Sequence, residues 1–397
     1  KDGAIKFDNK NVWTYQDVDE LVHTILHPNN LAILRDRWSV DFAATVGNVR
    51  IRINIFNTDR GPSLAIRLLP TQVPTIEKLN LHPSLHDISE LKSGLVLICG
   101  TNGSGKTTAI ASILDDINHK RAAHIVTLED PIEYRIQSRT SFVEQREIGT
   151  HVQSFERGLI DVMREDPDVI MVGEMRDPQT IALTLNAAES GHLVIATLHA
   201  TNMEDALYRI INSAPLEAEE YIRHQLASTI TWITLQKLIY IEKVGFRVPL
   251  LSIMRATQQI KGLIREKKLF QIENSLHTGK AEGMFTQERY LKEFIETRER
   301  FSNPMANFNP GKGDATDISY HSSVFNAQGN LKNKTRSLRS LSGEDPFQNS
   351  VRKETMSSPD AESLFVVDPV ETQYSIDETY DLLEIIAETE KKIDRNK

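Results

Sequence analysis

Hydrophobic and polar residues alternate strictly in two stretches near the start of the chain, Ala4–Phe7 and Val49–Phe56. Such alternation is typical of strands that bury one face. A helical pattern over about Tyr15–Leu26 lies between them. We therefore predict a small α+β domain over residues 1–70, followed by a proline-containing linker over residues 71–75 that breaks both periodicities.

Continuous apolar runs separated by longer helical stretches replace this alternation over residues 76–301. The four strongest runs are Leu95–Cys99, His124–Leu128, Val169–Val172 and Leu193–Thr197. Buried parallel strands joined by helices have this pattern, so we predict an α/β domain whose parallel sheet is covered on both faces. After about residue 204 the pattern predicts helices, with a hairpin around Val244-Gly245 as the only further strand signal.

The last part of the chain differs in composition. Residues 302–375 are rich in Ser, Asn, Gly and Pro and contain few apolar clusters. A segment of this kind cannot bury enough surface to offset its ordering entropy, so we predict that it is disordered. Residues 376–397 form an acidic, amphipathic helix candidate. Its partial apolar face consists of Leu382, Leu383, Ile385 and Ile386.

Composition limits the classes of protein that fit this pattern. The 397 residues carry a formal net charge of -9, which argues against broad nucleic-acid binding. No apolar run in the sequence approaches the roughly 20 residues needed to span a bilayer. A single cysteine, Cys99, excludes an internal disulfide and any cysteine-based zinc cluster. The chain begins at Lys1 rather than Met, so we expect its N-terminal domain to be truncated.

A glycine-rich loop after the first apolar run carries the strongest chemical signal, because it matches G-x-x-x-x-G-K-[ST] at every position. Its residues are Gly100, Thr101, Asn102, Gly103, Ser104, Gly105, Lys106 and Thr107. Glycines let backbone N–H groups surround phosphate oxygens, and the following helix adds its positive dipole end. Lys106 supplies a charge for the β- and γ-phosphates, and Thr107 a hydroxyl ligand for Mg²⁺. We therefore predict an ATP and Mg²⁺ site that includes the adjacent Thr108.

Polar residues also follow the other three apolar runs, at the strand ends where ligands of a parallel sheet bind. The second run is followed by Glu129, Asp130 and Glu133, the third by Glu174, and the fourth by His199. ATP hydrolysis needs a group that orients the attacking water and charges that stabilise the phosphoryl oxygens. We predict catalytic roles for Glu133, Glu174 and His199. Glu129 and Asp130 are predicted to contact the nucleotide, and Glu174 to hold Mg²⁺ directly or through water.

Structural roles stay open for several of these residues. Glu129 and Asp130 could instead cap a turn. A single histidine such as His199 is more often structural than catalytic, and it stands out here only because it ends a strand of the same sheet. Arg176 could pair locally with Asp177 and take no part in the chemistry.

Four motifs, in the right order, resemble those of the type II/IV secretion and type IV pilus ATPase family. Beside the phosphate-binding loop, the segments concerned are Thr127–Glu133, which resembles its Asp box, Asp166–Asp177, which resembles its Walker B region, and Gly191–His199, which resembles its His box. Val49–Pro70 resembles the end of the family's PAS-like N-terminal domain. The resemblance extends from about residue 30 to about residue 300.

The resemblance implies a RecA-like core in a homo-hexameric ring, with ATP hydrolysis coupled to domain rotation. It also implies a cytoplasmic protein that docks on a platform protein of the inner membrane, and the acidic net charge leads us to expect no direct nucleic-acid partner. The N-terminal arginines that match the family are expected to reach a nucleotide, although a strand arginine more often lies on a solvated face. They are Arg52, Arg60 and Arg67.

Two features favour the pilus-retraction branch of the family. A single cysteine cannot build the four-cysteine zinc module that is usual in pilus-assembly and type II secretion relatives. The residue sequence of Gly173–Asp177 also resembles that of retraction ATPases. The family's AIRNLI segment, in contrast, keeps only its apolar spacing here, at Gln259–Ile264. A secretion or pilus-assembly ATPase, a nucleotide-binding accessory subunit with little turnover, and a DNA helicase remain as alternatives.

Replacement of Lys106 by alanine is expected to lower ATP hydrolysis by orders of magnitude, because the positive charge on the β- and γ-phosphates is lost. The fold is expected to persist, since the loop is exposed without its ligand. A phosphate-release assay and a thermal melt measure both quantities. Hydrolysis by Lys106→Ala at the wild-type rate would contradict the phosphate-binding assignment.

Overall fold

The structure is a computed structural model that describes residues 13–46, 49–70, 72–303 and 366–367. These residues have the predicted class, with a small N-terminal α+β domain before a larger α/β domain. The amphipathic helix candidate at 376–397 lies outside the described residues.

Two helices and an antiparallel sheet form the N-terminal domain. The helices are α1 (Tyr15–Ile25) and α2 (Pro28–Arg37), and the strands are β1 (Ser39–Val46), β2 (Val49–Thr58) and β3 (Gly61–Leu68). The alternation in β2 puts Ile51, Ile53 and Ile55 on one face, where they are buried. They share a core with Val22 and Ile25 of α1. One face of the sheet is therefore buried in the core of the domain, as the sequence pattern predicts.

The sequence predicts one helix in this domain, and the structure has two. α1 agrees with the prediction and begins behind a capping box formed by Thr14 and Asp17. α2 contains a single buried residue, Leu34, so it has no apolar stripe by which the sequence would reveal it. The alternating stretch Ala4–Phe7 lies outside the described residues.

The α/β domain is built from seven strands and eight α-helices in the described part of the chain. The strands are β4 (Gly94–Cys99), β5 (His124–Glu129), β6 (Phe142–Glu147), β7 (Val169–Val172), β8 (Leu193–Leu198), β9 (Ile230–Ile241) and β10 (Phe246–Arg255). The helices are α3 (Lys106–Lys120), α4 (Phe155–Val162), α5 (Pro178–Glu189), α6 (Met203–Ile211), α7 (Glu219–Thr229), α8 (Gln258–Arg265), α9 (Ile272–Thr278) and α10 (Gln287–Tyr290). Shorter helical turns lie at Pro83–Glu90, Leu216–Ala218, Leu269–Gln271 and Leu291–Ile295.

The seven strands form one sheet in the order β10-β9-β4-β8-β7-β5-β6. Every neighbouring pair is parallel except β9 and β10, which form an antiparallel hairpin. Apolar residues of α3 and of the turn Pro83–Glu90 form the core on one face. Residues of α4 to α9 form the core on the other face. The predicted parallel sheet with both faces covered is thus confirmed.

The prediction of almost exclusively helices after residue 204 is wrong. β9 and β10 are long strands, joined near the predicted hairpin at Val244-Gly245. β9 follows α7 directly, with no Gly or Pro to mark the change. β6 is also absent from the prediction, because the polar stretch Glu144–Glu147 makes up most of it.

Cys99 ends β4 and is fully buried. Burial raises the pKa of its thiol to about 12, in keeping with the role of a small apolar residue. In the part of the chain that the structure describes, no helix is long and apolar enough to cross a membrane.

The α/β domain ends later than predicted. Phe301 packs against the core on the α3 side. Asn80 donates from Nδ2 to the carbonyl of Ser302 (2.9 Å) and accepts at Oδ1 from the Ser302 N–H (2.8 Å). Within the segment predicted as disordered, Ser302 is therefore attached to the core, and β11 (Val366–Val367) pairs antiparallel with β1. Residues 304–365 and 368–375 lie outside the described residues.

Truncation after Asn303 is expected to leave the melting temperature of the α/β domain unchanged, because the contacts of Phe301 and Ser302 remain. Truncation after Arg300 is expected to lower the free energy of unfolding by about 1–3 kcal/mol, because the buried amide of Asn80 loses its partner. Denaturant unfolding of the two truncated chains measures the difference. Equal stabilities would contradict this boundary.

Candidate functional site

The loop between β4 and α3 is packed against the sheet on one side and open on the other. A Cβ on Gly100 would lie 2.4 Å from the carbonyl oxygen of Gln236, whereas one on Gly103 would meet nothing within 4 Å. Gly105 precedes α3 with a φ of 87°, a conformation that favours glycine. The chain therefore enters α3 with the free N–H groups of the first helical turn next to the loop.

The Lys106 ammonium group is folded back into this loop. Its Nζ donates to the carbonyls of Gly100 (2.9 Å) and Thr101 (3.0 Å), and the residue is only 9% exposed. Burial lowers the pKa of Lys106, against the opposing effect of nearby Glu174. The buried hydroxyl of Ser104 has no hydrogen-bond partner among the described residues. Phosphate oxygens would supply acceptors to both groups, so the loop fits the predicted nucleotide.

Gln236 of β9 supports the loop from below. Its side chain is 2% exposed, and Nε2 donates to the carbonyl of Ser104 over 2.7 Å. The sequence gives no sign of this contact, because β9 itself is not predicted as a strand.

Glu174 lies between a histidine and an arginine at the end of β7. Its Oε1 is 2.9 Å from Nε2 of His199, and its Oε2 is 2.6 Å from Nη2 of Arg176. The parallel pairing of β7 and β8 brings Glu174 and His199 together. The Thr197 hydroxyl donates to the Gly173 carbonyl and joins the two strand ends.

The surroundings of His199 disfavour its protonated form. Burial, followed by the charge of Lys106, lowers the pKa of His199. A neutral imidazole next to a carboxylate donates through the nitrogen that faces it, so Nε2 carries the proton here. The local pair of Arg176 with Asp177 is not formed, since Arg176 binds Glu174 and Asp177 caps α5.

Glu129 is buried at the end of β5. Its Oε1 accepts from the Thr127 hydroxyl (2.7 Å) and from Nε2 of Gln145 (2.9 Å). Burial raises the pKa of Glu129 to about 7. Asp130, by contrast, is exposed. The first acid is therefore anchored in the protein, and the second is open to a ligand.

Glu133 is paired with the N-terminal domain. Its Oε1 is 3.2 Å from Nη1 of Arg52, and Nη2 of Arg52 is 2.6 Å from Oδ2 of Asp41. Two residues earlier in β2, the buried Arg50 donates to the carbonyl of Ile132 over 3.1 Å. Two arginines on the same side of one strand thus attach the N-terminal domain to the loop after β5.

A cleft of about 830 Å³ unites these groups. The predicted residues that line it are Arg52, Arg67, Asn102, Gly103, Gly105, Lys106, Thr107, Thr108, Glu129, Asp130, Glu133, Glu174 and His199. Arg60 is not among its lining residues, and it lies exposed in the turn between β2 and β3. Gly100, Thr101 and Ser104 belong to the same loop but are not among the lining residues; their carbonyls accept from Lys106 and Gln236.

A metal at this site would depend on the nucleotide. Within residues 13–46, 49–70, 72–303 and 366–367, no group of three or more His, Cys, Asp and Glu side chains could hold a metal ion. Mg²⁺ at nucleotide sites needs only one or two protein ligands, because phosphates and water supply the others. Thr107 and Glu174 line the same cleft and fit this donor set.

Several residues of the site have no sequence motif. Tyr134 donates from its hydroxyl to Oγ1 of Thr108 over 3.1 Å, and Gln145 reaches Glu129 from β6. No sequence motif near Asp41 identifies it as a residue of the site. Arg50 could have been found, because it shares a strand face with Arg52.

Comparison with known proteins agrees with these motifs. Residues 36–289 match the family described as Type II/IV secretion system protein. A twitching motility protein of Neisseria gonorrhoeae is 40% identical over 281 residues, which cover 70% of this chain and 75% of that protein. The type IV pilus retraction ATPase PilT of Pseudomonas aeruginosa is 37% identical over 296 residues, which cover 74% and 86%. The crystal structure of the pilus retraction motor PilT with bound ADP aligns with a TM-score of 0.62 and 36% identity, covering 72% of this chain and 84% of that one.

The family match spans more than half of the chain, and both relatives exceed 30% identity over most of their own length. The phosphate-binding loop and the alignment with the PilT structure agree with that match. The chain therefore belongs to the type II/IV secretion system protein family.

Proposed function

We propose that this protein is a P-loop ATPase that powers retraction of a type IV pilus in twitching motility. The observation that carries the proposal is the convergence of Lys106, the Glu174–His199 pair and the Arg52–Glu133 pair on one cleft. A glycine-rich loop that holds phosphate and carboxylates that act on water are the two parts that ATP hydrolysis requires. Relatives named for twitching motility and pilus retraction support the biological role.

The phosphate-binding loop holds the triphosphate. Lys106 exchanges its contacts with the carbonyls of Gly100 and Thr101 for oxygens of the β- and γ-phosphates, and N–H groups of the first turn of α3 donate to the same oxygens. Thr107 and, directly or through water, Glu174 would hold Mg²⁺, which would neutralise part of the phosphate charge. Gln236 holds the loop at a fixed distance from the sheet, because its amide binds the carbonyl of Ser104.

Glu174 orients the attacking water and takes up its proton. The neutral His199 and Arg176 each bind one of its oxygens, so the carboxylate has a fixed orientation. Fixed donors and acceptors lower the barrier because they need no reorganisation during the reaction. Glu133 provides a second carboxylate on the side of the N-terminal domain.

Arg52 couples the cleft to the N-terminal domain. Its guanidinium group is shared between Asp41 of its own domain and Glu133 of the α/β domain. A γ-phosphate that competes for Arg52 weakens the pair with Glu133, and its release after hydrolysis restores the pair. The nucleotide bound in the cleft thereby determines the position of the N-terminal domain. A motor requires such a coupling between its nucleotide and the movement of a domain.

The proposed assembly is a homo-hexameric ring in the cytoplasm that docks on a platform protein of the inner membrane. The exposed position of Arg60, outside the cleft of its own subunit, suits a contact with the nucleotide of a neighbouring subunit. Such arginines, supplied in trans, are a recurring device for stabilising phosphoryl charge.

A secretion or pilus-assembly motor is the second candidate, and the description of the matched family, which joins type II and type IV secretion, favours it. Electron microscopy and motility assays of a deletion strain separate the functions. Retraction predicts an excess of pili on non-motile cells. Bald cells would indicate assembly, and normal pili with a secretion defect would indicate a secretion motor.

Glu174→Gln is expected to bind ATP but to hydrolyse it at least about a hundredfold more slowly, because the substitution removes the base and keeps the shape. Steady-state turnover and binding of a fluorescent ATP analogue measure the two effects. Glu217→Gln, which changes an exposed acid outside the cleft, is the matched control. Normal turnover in Glu174→Gln together with loss in Glu133→Gln would exchange the two roles, and normal turnover in both would contradict the mechanism.

Arg52→Ala is expected to reduce turnover by about tenfold or more while changing nucleotide affinity less, because its charge acts mainly on the transition state. Arg37→Ala removes an exposed arginine of the same domain and is expected to leave both quantities unchanged. Arg67→Ala is expected to follow Arg52→Ala, since Arg67 lines the same cleft. Full activity of an isolated, monomeric fragment of residues 75–300 would show that the N-terminal arginines are not needed.

A further inference from the structure

The loop that carries Asp130 and Glu133 contains no helix or strand between β5 and β6, so side-chain contacts must hold it in place. Two of these contacts, and a third to the end of β5, come from one residue of β6. Gln145 donates from Nε2 to the carbonyl of Tyr134 (2.8 Å) and to Oε1 of Glu129 (2.9 Å). Its Oε1 accepts from the N–H of Ile136 over 2.8 Å.

These partners allow one orientation of the Gln145 amide. The N–H of Ile136 needs an acceptor, and the carbonyl of Tyr134 needs a donor, so the oxygen and nitrogen cannot be exchanged. Glu147, on the same face of β6, supports the other part of the loop, because its Oε2 accepts from the N–H of Ile132 over 2.9 Å. The loop is thus held on both sides of Glu133.

The loop is also connected to the phosphate-binding helix. The hydroxyl of Tyr134, whose carbonyl is bound by Gln145, donates to Oγ1 of Thr108 in the first turn of α3. Thr108 follows Thr107, the predicted Mg²⁺ ligand. The amide of Gln145 therefore binds both the buried end of β5 and the loop that carries Glu133. Through Tyr134 it is also connected to α3, the helix that follows the phosphate-binding loop.

We propose that Gln145 is a positioning residue, which fixes the loop of Asp130 and Glu133 relative to the phosphate-binding loop so that both act on one nucleotide. The proposal rests on the proposed ATPase function. A carboxylate displaced by about an ångström from its working position loses most of its effect on the rate, whereas binding by the phosphate loop does not depend on it. Loss of Gln145 should therefore affect turnover much more than nucleotide affinity.

Two substitutions test the role of the amide. Gln145→Glu keeps the size and shape but turns both donors into acceptors, so a carboxylate faces the Tyr134 carbonyl and Glu129. Gln145→Met keeps the length and removes all three bonds. Glu144→Gln is the matched control, because Glu144 lies on the opposite face of β6 and contacts His124 and Arg146 instead.

Both Gln145 variants are expected to turn over ATP about tenfold or more slowly, with ADP affinity within about twofold of the wild type. Hydrogen exchange at the amides of residues 132–136 is expected to become faster in both variants and to stay unchanged in Glu144→Gln. Tyr134→Phe, which removes only the link to Thr108, is expected to reduce turnover without the change in exchange.

Wild-type turnover in Gln145→Glu, or exchange at residues 132–136 as slow as in the wild type, would overturn the proposal. A joint loss of ADP affinity, melting temperature and turnover in both variants would also overturn it, since it would show a general structural role. If the wild type hydrolyses no more ATP than Lys106→Ala, the proposed function fails. Hydrogen exchange then still decides whether Gln145 holds the loop.

Discussion

Four neighbouring strands, β4, β8, β7 and β5, run parallel and end at one edge of the sheet. Their interiors are buried on both faces and accept few polar side chains, so reactive groups can extend only from the ends. The phosphate loop, His199, Glu174 and Glu129 occupy these four ends in the same order. Any slip in this parallel alignment would separate Glu174 from His199, and the cleft with its chemistry would be lost.

Arginine pairing between the two domains is the second requirement. Arg50 is buried and bonds to backbone, so it acts as a fixed attachment, whereas Arg52 is partly exposed and shared between two carboxylates. A partly exposed ion pair contributes little stability and is readily exchanged for another anion. Under the proposed mechanism, the fixed contact would keep the domain attached, and the exchangeable contact would let its orientation respond to the nucleotide.

The sequence was sufficient for groups whose chemistry depends on local spacing. The loop from Gly100 to Thr107 and the acids and histidine behind apolar runs could be predicted, because short motifs and strand ends determine them. Contacts between distant residues could not, since no local pattern links Arg52 to Glu133, 81 residues away, or Gln236 to Ser104, 132 residues away. β6 escaped prediction for a different reason: its residues are mostly polar and only partly buried, so it lacks the apolar run of a buried strand.

The burial of Cys99 has a practical consequence for following this motor. A thiol with a pKa of about 12 is ionised to only about one part in 10⁵ at pH 7, and β4 shields it from reagents. As Cys99 is the only cysteine in these 397 residues, this chain is suited to site-specific maleimide labelling without removal of a cysteine. A pair of cysteines introduced on β3 and α5 would carry fluorophores at chosen positions only. Energy transfer between them would then report domain motion during turnover without any change to the core.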